Sequence, residues 1–419
     1  MPADAEEKPV VSRTSEAKPA RPRSRWRRRR RLLVALLAMP VALLALWIAI
    51  HKVEWLGPWL ADLGRSIVGN DAIAKLEDFA YDVEDRVNRA TKSDEPPAPM
   101  WDVPETPPAP APTGSAGPAP TRYPAFRPAD VGPMLKSFSA PGDGVWVPVG
   151  DARNPGEPAP LFKTLLHPDK NRSWSSVVVV AVDLRQIRLH SVAGKHEPVT
   201  QDAEAKKLER LGMVADEHLD TVVAAFNGGF KTTHGQYGMR AHGVTFVPPR
   251  MRACAIAAFP GDVLEIRSWE ALDAKKDQME WFRQTPMCMV EENKLHPGLQ
   301  LETNTHWGST LDKSTVIRRS AIGLSQDAQI LYVGISEATS ATTIATAMQF
   351  AGAVNVAQLD VNFSYPKLVT VEPAPEPQEG RAAKWHVQAI VKGFEYTKDD
   401  YIRKAMSRDF FYLTRKPAP

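Results

Sequence analysis

Short apolar runs separated by polar, glycine-bearing turns recur along the C-terminal two thirds of the chain, and this pattern predicts a strand-rich fold. Runs of about four to eight β-branched or aromatic residues between turn formers read as strands. They fall at Ser176–Leu184 and Ile187–Val192, a hairpin-like pair, then at Val222–Phe226, Gly243–Val247, Cys254–Phe259, Val263–Trp269 and Met287–Glu291. Two more, Ser320–Leu324 and Ile330–Ile335, are joined by the turn Ser325–Ala328. Helical spacing is rarer. A charged helix is predicted near Asp202–Leu211, and a second over Ala341–Ala351. Ser340 is placed to cap the second helix, and Gly352 stands just past its C-cap. A strand, Val354–Leu359, then leads into Asp360. Many strands with few helices predict an α+β class with one mixed domain over 134–419, without regular βαβ alternation.

Upstream the pattern changes. Leu32–Ile50 is nineteen residues without a charge. At about 1.5 Å per residue it nearly spans the ~30 Å core of a bilayer. Trp47, Trp55 and Trp59 stand where an interfacial aromatic belt would. Eight arginines lie between Arg21 and Arg31, so residues 1–31 read as a basic cytoplasmic tail. A cleaved signal peptide is the rival reading. The apolar run is long for a signal core, and His51-Lys52 is no small-residue cleavage site, so a signal-anchor at 32–50 is preferred. The expectation is a single-pass protein of the inner membrane, held through Leu32–Ile50, with its C-terminal domain periplasmic or otherwise extracytoplasmic. Residues 51–92 hold an amphipathic helix, with Ile67, Ile73, Leu76, Phe79 and Val83 among charges at helical spacing. Residues 93–133 read as a Pro-rich linker. Twelve of the 33 residues from Pro96 to Pro128 are proline, which predicts an extended spacer packed against nothing.

Charge and cysteine usage narrow the function classes. The formal net charge is +3, and without the eight arginines it is 3 − 8 = −5. The basic run is explained by the membrane span, so a nucleic-acid partner is not expected. Cys254 and Cys288 both lie in apolar surroundings. They are either small buried hydrophobes or, in an oxidising compartment, a disulfide. No spacing calls for a metal or a cofactor, and no P-loop, G-x-S-x-G or H-E-x-x-H motif is present.

Four features carry candidate chemistry. Phe226-Asn227-Gly228-Gly229-Phe230 is a strand end opening into a turn, where bare amides can cradle an anion; a plain structural turn fits it as well. Asp360 and Asn362 are spaced to face the same way at a strand end, as a general base and a hydrogen-bonding partner or as an Asx turn. Arg318-Arg319, just before an apolar strand, reads as a phosphate clamp or a surface ion pair. His234 and His242 flank a glycine-rich loop, as ligand contacts, acid–base groups or ordinary loop histidines.

Together, three of these segments show a resemblance. In order, Phe226–Phe230, Arg318-Arg319-Ser320-Ala321-Ile322-Gly323 and Ala353–Asp360 resemble the phosphodiester glycosidase family, whose pattern is N-G-G-F, R-[ST]-A-[IV]-G, a helix, G-A, and a strand ending in L-D. That family includes the enzyme removing N-acetylglucosamine from a mannose 6-phosphate diester. Phe282–Pro286 is similar to the family's middle region, and the resemblance covers roughly Gly144–Tyr365. One departure stands out. The better-known members continue with G-G-G-S, where this chain has Val361-Asn362-Phe363-Ser364. Ser364 matches the serine, but Val361 and Phe363 would crowd a phosphate. The chain looks more like a bacterial branch carrying L-D-[IV]-N. The resemblance implies that Asn227, Arg319 and Asp360 are catalytic. Gly228, Gly229, His234, His242, Asn362 and Ser364 would contact a glycan or sugar-phosphate ligand, with no metal or cofactor. Glu337 is the other acid to consider. The implied function is a hydrolase of glycosyl phosphodiesters or related envelope glycans; the alternative is a non-catalytic binding domain of the same fold.

Overall fold

In the computed structural model, residues 38–39, 83, 85–92, 95–103, 121–300, 306–308, 316–361, 365–374, 384–391, 394 and 400–418 are described. The elements below all lie within one unit, Pro58–Pro419. Of the unit Met1–Gly57, only Ala38 and Met39 are described, so the expected span Leu32–Ile50 and the basic tail lie outside the described residues. Among the described residues, no helix is long and apolar enough to cross a membrane.

The domain opens with β1 (Val147–Val149), β2 (Leu161–Leu166), β3 (Val177–Asp183) and β4 (Ile187–Val192). A short helix, α1 (Ala203–Lys207), precedes β5 (Val222–Asn227). Next come β6 (Met239–Ala241), β7 (Val244–Val247), β8 (Cys254–Phe259) and β9 (Val263–Ser268), then α2 (Trp269–Leu272) and β10 (Trp281–Thr285). Two short strands, β11 (Val290–Glu291) and β12 (Lys294–Leu295), lead towards the hairpin β13 (Ile317–Leu324) and β14 (Ile330–Thr339). The chain ends with α3 (Ala341–Phe350), β15 (Asn355–Val361), β16 (Leu368–Pro373), β17 (Trp385–Ala389) and β18 (Phe410–Arg415). This is the strand-rich α+β architecture that the pattern predicts.

Three antiparallel sheets result. The largest runs β1-β2-β3-β14-β13-β15-β11-β12; the others run β7-β6-β10-β8-β9 and β17-β16-β5-β18-β4. β3 shows why the largest sheet is so apolar. Val178, Val180 and Val182 enter one core, shared with β4, β5, β8, β9 and β18 of the smaller sheets. Val177, Val179 and Ala181 enter a second core, against Ile344, Ala345 and Met348 of α3. A strand covered on both faces needs a continuous apolar run rather than alternation. α3 is ended as predicted. Gly352, at φ +116°, donates its N–H to Gln349, and the Ala353 N–H reaches back to Met348 O, a Schellman arrangement that satisfies the terminal carbonyls.

Three expectations change. The helix near Asp202–Leu211 is cut to Ala203–Lys207: Asp202 caps it, but the chain turns extended at Leu208, where Arg210 reaches back to Pro198 O at 2.8 Å. The domain starts before Met134. The Tyr123 hydroxyl donates to Lys416 O at 2.9 Å, Arg415 lies 3.8 Å over its ring, and Phe126 packs edge-on to Phe162. Trp101 also packs on the core, with Lys163 Nζ 4.6 Å from its ring. Proline forbids helix and ladder but not apolar contact, and the aromatic residues interspersed here take burial where it is offered. Residues 95–103 and 121–133 are therefore not a free spacer. Residues 104–120 lie outside the described residues, and the helix expected over 51–92 is described only near its end, where Asp85 pairs with Arg172 at 2.9 Å.

Cys254 and Cys288 form a disulfide with their Cα atoms 4.7 Å apart, which decides between the two readings. The bridge closes 34 residues of sequence and ties β8 to the approach to β11, joining a smaller sheet to the largest. Loop-closure entropy for that length predicts that reduction lowers stability by about 3–4 kcal/mol. Urea unfolding with and without a thiol reductant checks this, and thiol titration of the unreduced, unfolded chain should find no free cysteine.

Candidate active site

Asp360 owes its direction to a bulge. Between the pairs Ala321↔Gln358 and Arg319↔Val361, β15 carries one residue more than β13. Upstream of it, Val356 faces α3, and Ala357 and Leu359 face the inter-sheet core. Strict alternation would carry Asp360 to the α3 face with Gln358. The extra residue turns it inwards instead, as bulges do. There it lines a small pocket with Asn227, Gly228, Gly229, Tyr365, Arg408 and Asp409. The cavity is about 20 Å³, room for one water.

The carboxyl group of Asp360 is buried and pairs with Arg408 Nη2. Its Oδ1 accepts the Val361 N–H at 3.0 Å. Burial pushes its pKa up to about 6; Arg408 opposes the rise and the nearby Asp409 charge adds to it. Arg408 is itself buried and lies 3.9 Å over the Tyr365 ring, and its Nε has no hydrogen-bond partner. The pocket thus holds a carboxyl group poised near neutrality and a cation with a donor to spare.

The Asn-Gly-Gly turn does cradle an anion, but an internal one. Gly228 N donates to Asp409 O at 3.1 Å, and Gly229 N to Asp409 Oδ2 at 2.8 Å. Arg283 of β10 grips the same carboxylate with two donors, Nε to Oδ2 at 2.8 Å and Nη2 to Oδ1 at 3.1 Å. Its remaining bonds go to the carbonyls of Phe230, Tyr237 and Gln284. A Cβ at Gly229 would lie 2.6 Å from Arg283 Cζ, so glycine there is a packing requirement.

The three motifs do meet, though not through all the expected side chains. Asn227 donates to Ser320 Oγ at 2.9 Å and accepts from Lys367 N at 3.1 Å; Ser320 Oγ donates to Asp360 O at 3.2 Å, and Asp360 N donates to Gly228 O at 3.0 Å. The Asn227 side chain is thus spent on joining β5, β13 and β16, which makes it a positioning group. Arg319 does not line the pocket. It lies inside β13, not before it, facing α3, and donates to the carbonyls of Thr339, Trp307 and Gly308 and to Gln358 Oε1. Complete burial lowers its pKa to about 9. Arg318 faces the other way and pairs with Glu337 at 2.8 Å, far into β14 rather than at the pocket. His234 and His242 are exposed and do not line the pocket either. Asn362 and Ser364 lie outside the described residues.

Sequence reasoning missed Arg408, Asp409, Tyr365 and the role of Arg283. A signal existed for two of them. Arg408-Asp409 directly precedes the apolar run Phe410–Leu413, a charged doublet before an apolar run like Arg318-Arg319.

No family model matches the chain, and comparison with curated proteins finds no match. Among solved structures, the catalytic domain of zebrafish N-acetylglucosamine-1-phosphodiester alpha-N-acetylglucosaminidase, auto-inhibited by its pro-peptide, is similar at 11% identity and a TM-score of 0.39, over 64% of this chain and 87% of that one. A hypothetical protein from Synechocystis is similar at 10% identity and a TM-score of 0.38, over 61% and 62%. At these values neither likeness bears on the chemistry of the pocket.

The Arg283–Asp409 pair yields a direct prediction. Arg283→Met strands a buried carboxylate and should cost about 3–5 kcal/mol, whereas Arg283→Met with Asp409→Leu should cost clearly less than the sum of the single changes. Urea denaturation of the four proteins in the cycle measures this.

Proposed function

We propose that the chain is a hydrolase of glycosyl phosphodiesters or related envelope glycans, held by Leu32–Ile50 with its C-terminal domain on the extracytoplasmic side of the membrane. The observation that carries the reading is Asp360, a buried carboxyl group with its pKa pushed up to about 6 beside Arg408. A pKa near the working pH suits a group that takes or gives a proton during reaction. The hydrogen bonds that join Asn227, Ser320 and Asp360, one residue from each of the three ordered motifs, support the reading. The disulfide fits an oxidising compartment beyond the membrane.

In the proposed reaction, water bonds to the anomeric carbon, the bond from that carbon to the phosphate oxygen breaks, and the phosphate monoester leaves. The Asp360 carboxylate takes the proton of the water. Arg408 supplies a donor and a positive charge to the phosphate in a site of low dielectric. Arg408 thereby replaces Arg319 in the role that the motif implied. A non-catalytic glycan-binding domain is the second reading. One observation favours it: the amides of Gly228 and Gly229 are already taken by Asp409 and are not offered to a phosphate.

Wild type and Asp360→Asn, assayed on a panel of glycosyl phosphodiesters, separate these readings. Turnover should fall about 100-fold or more in the variant while its melting temperature stays close to wild type. Wild-type kcat should rise with pH through about 6, since Asp360 must be ionised to accept a proton. Stability moves the opposite way. The folded pKa is raised above the ordinary 3.8, so ionising Asp360 costs stability as pH rises from about 4 to 6, and Asp360→Asn should lose that slope. No turnover of any diester by a well-folded wild type leaves the binding-domain reading. For the anchor, a tag at Pro419 should be protease-accessible only from the outer side of intact cells; a soluble, trimmed product would contradict it.

A further inference from the structure

A second cavity, larger than the Asp360 pocket, lies away from it. It has a volume of about 220 Å³ and sits where β4, the edge strand of its sheet, meets the β8–β9 hairpin and the start of β10. Its polar walls include Arg188, His190, Asp262 and Glu280, and Trp281 and Leu264 add apolar surface.

The cation that lines this cleft, Arg188, is already paired. Arg188 donates to Asp262 at 3.1 Å, and Lys416 Nζ lies 3.1 Å from the same carboxylate. The exposed Glu280 adds a second carboxylate to the lining. His190 stays neutral across the physiological range, since burial, with the neighbouring His218 and Arg188, lowers its pKa to about 3. Its ring is fixed by stacking on Tyr412 at 4.5 Å and by a 2.8 Å bond between Nε2 and Thr414 Oγ1. A cleft whose guanidinium is already paired, and whose lining carries two carboxylates, gives an anion such as phosphate little to bind. Its volume falls below the roughly 300–1,000 Å³ of sites for drug-sized ligands, so the occupant is small. What remains is the indole of Trp281 beside the exposed Glu280 carboxylate and the paired Arg188 and Asp262. The indole offers an apolar surface to C–H groups, and the polar groups match neighbouring hydroxyls.

We propose that the cleft between β4, the β8–β9 hairpin and Trp281 is a second ligand site, which takes one neutral, hydroxyl-rich sugar ring. The site is independent of the Asp360 pocket and stands whether or not that pocket is catalytic. Its role is to hold a glycan on the domain.

The test titrates the full-length chain in detergent with the methyl glycosides of glucose, galactose, mannose and N-acetylglucosamine, read by tryptophan fluorescence and saturation-transfer NMR. At least one glycoside should bind saturably. Glu280→Ala and Trp281→Leu should each weaken it about tenfold, the scale of one lost polar or packing contact. Asp360→Asn should leave it unchanged, and inorganic phosphate should not compete. Three results would overturn the proposal: no saturable binding by any of the four glycosides, binding indifferent to both cleft substitutions, or binding lost in Asp360→Asn or displaced by phosphate. Should Trp281→Leu fail to fold, Glu280→Ala decides alone, because Glu280 is exposed and carries none of the core.

Discussion

The buried ion pair between Arg283 and Asp409 sets the arrangement of everything around the candidate site. Both side chains are at most 2% exposed, so each charge has lost its water. Such a pair is tolerable only if nearly every donor and lone pair finds a partner. Here five Arg283 bonds and the Gly229 amide meet that demand. The bonds come from β10, from the turn after β5 and from the residue before β18, so one charged contact joins two sheets. It also dictates the glycines, because a side chain at Gly228 or Gly229 would strike Asp409 or Arg283.

The chemistry of Asp360 follows from that contact. Clamping Asp409 places Arg408, its neighbour in sequence, against Asp360. It also leaves a second negative charge nearby, which adds to burial in raising the Asp360 pKa. The bulge in β15 supplies the remaining condition by turning Asp360 towards this cluster instead of towards α3. Packing demands and chemistry are therefore coupled. The residues that hold the sheets together are the ones that tune the acid.

The two clefts differ in electrostatic character. At Asp360 a buried cation keeps an unpartnered donor beside a carboxyl group. In the β4 cleft the lining cation, Arg188, is already paired with Asp262, and the histidine is neutral. The first arrangement suits charge that develops or departs, and the second suits recognition of a neutral polar surface. A domain with both could grip a glycan at one place and act on it at another.

Much of the architecture was legible in the residues themselves. Local rules account for the strand-rich class, the Val177–Asp183 strand, the Ser340 and Gly352 caps, and the turns at 228–229 and 325–328, because each depends on neighbours within a few positions. The grouping of Asn227 and Asp360 was legible too, through the order of the motifs. What sequence could not carry was facing. Arg318 and Arg319 lie in one strand but point to opposite faces, and only the sheet's surroundings decide which face holds the pocket. The bulge that redirects Asp360 is a mismatch between two strands and has no mark in either one alone. The choice of Asp409 as the anion in the glycine turn depends on Arg283, 126 residues away. The aromatic residues of the proline-rich stretch likewise needed a finished surface to pack on. Period and capping are written locally; register, facing and charge pairing come into being only when distant strands meet.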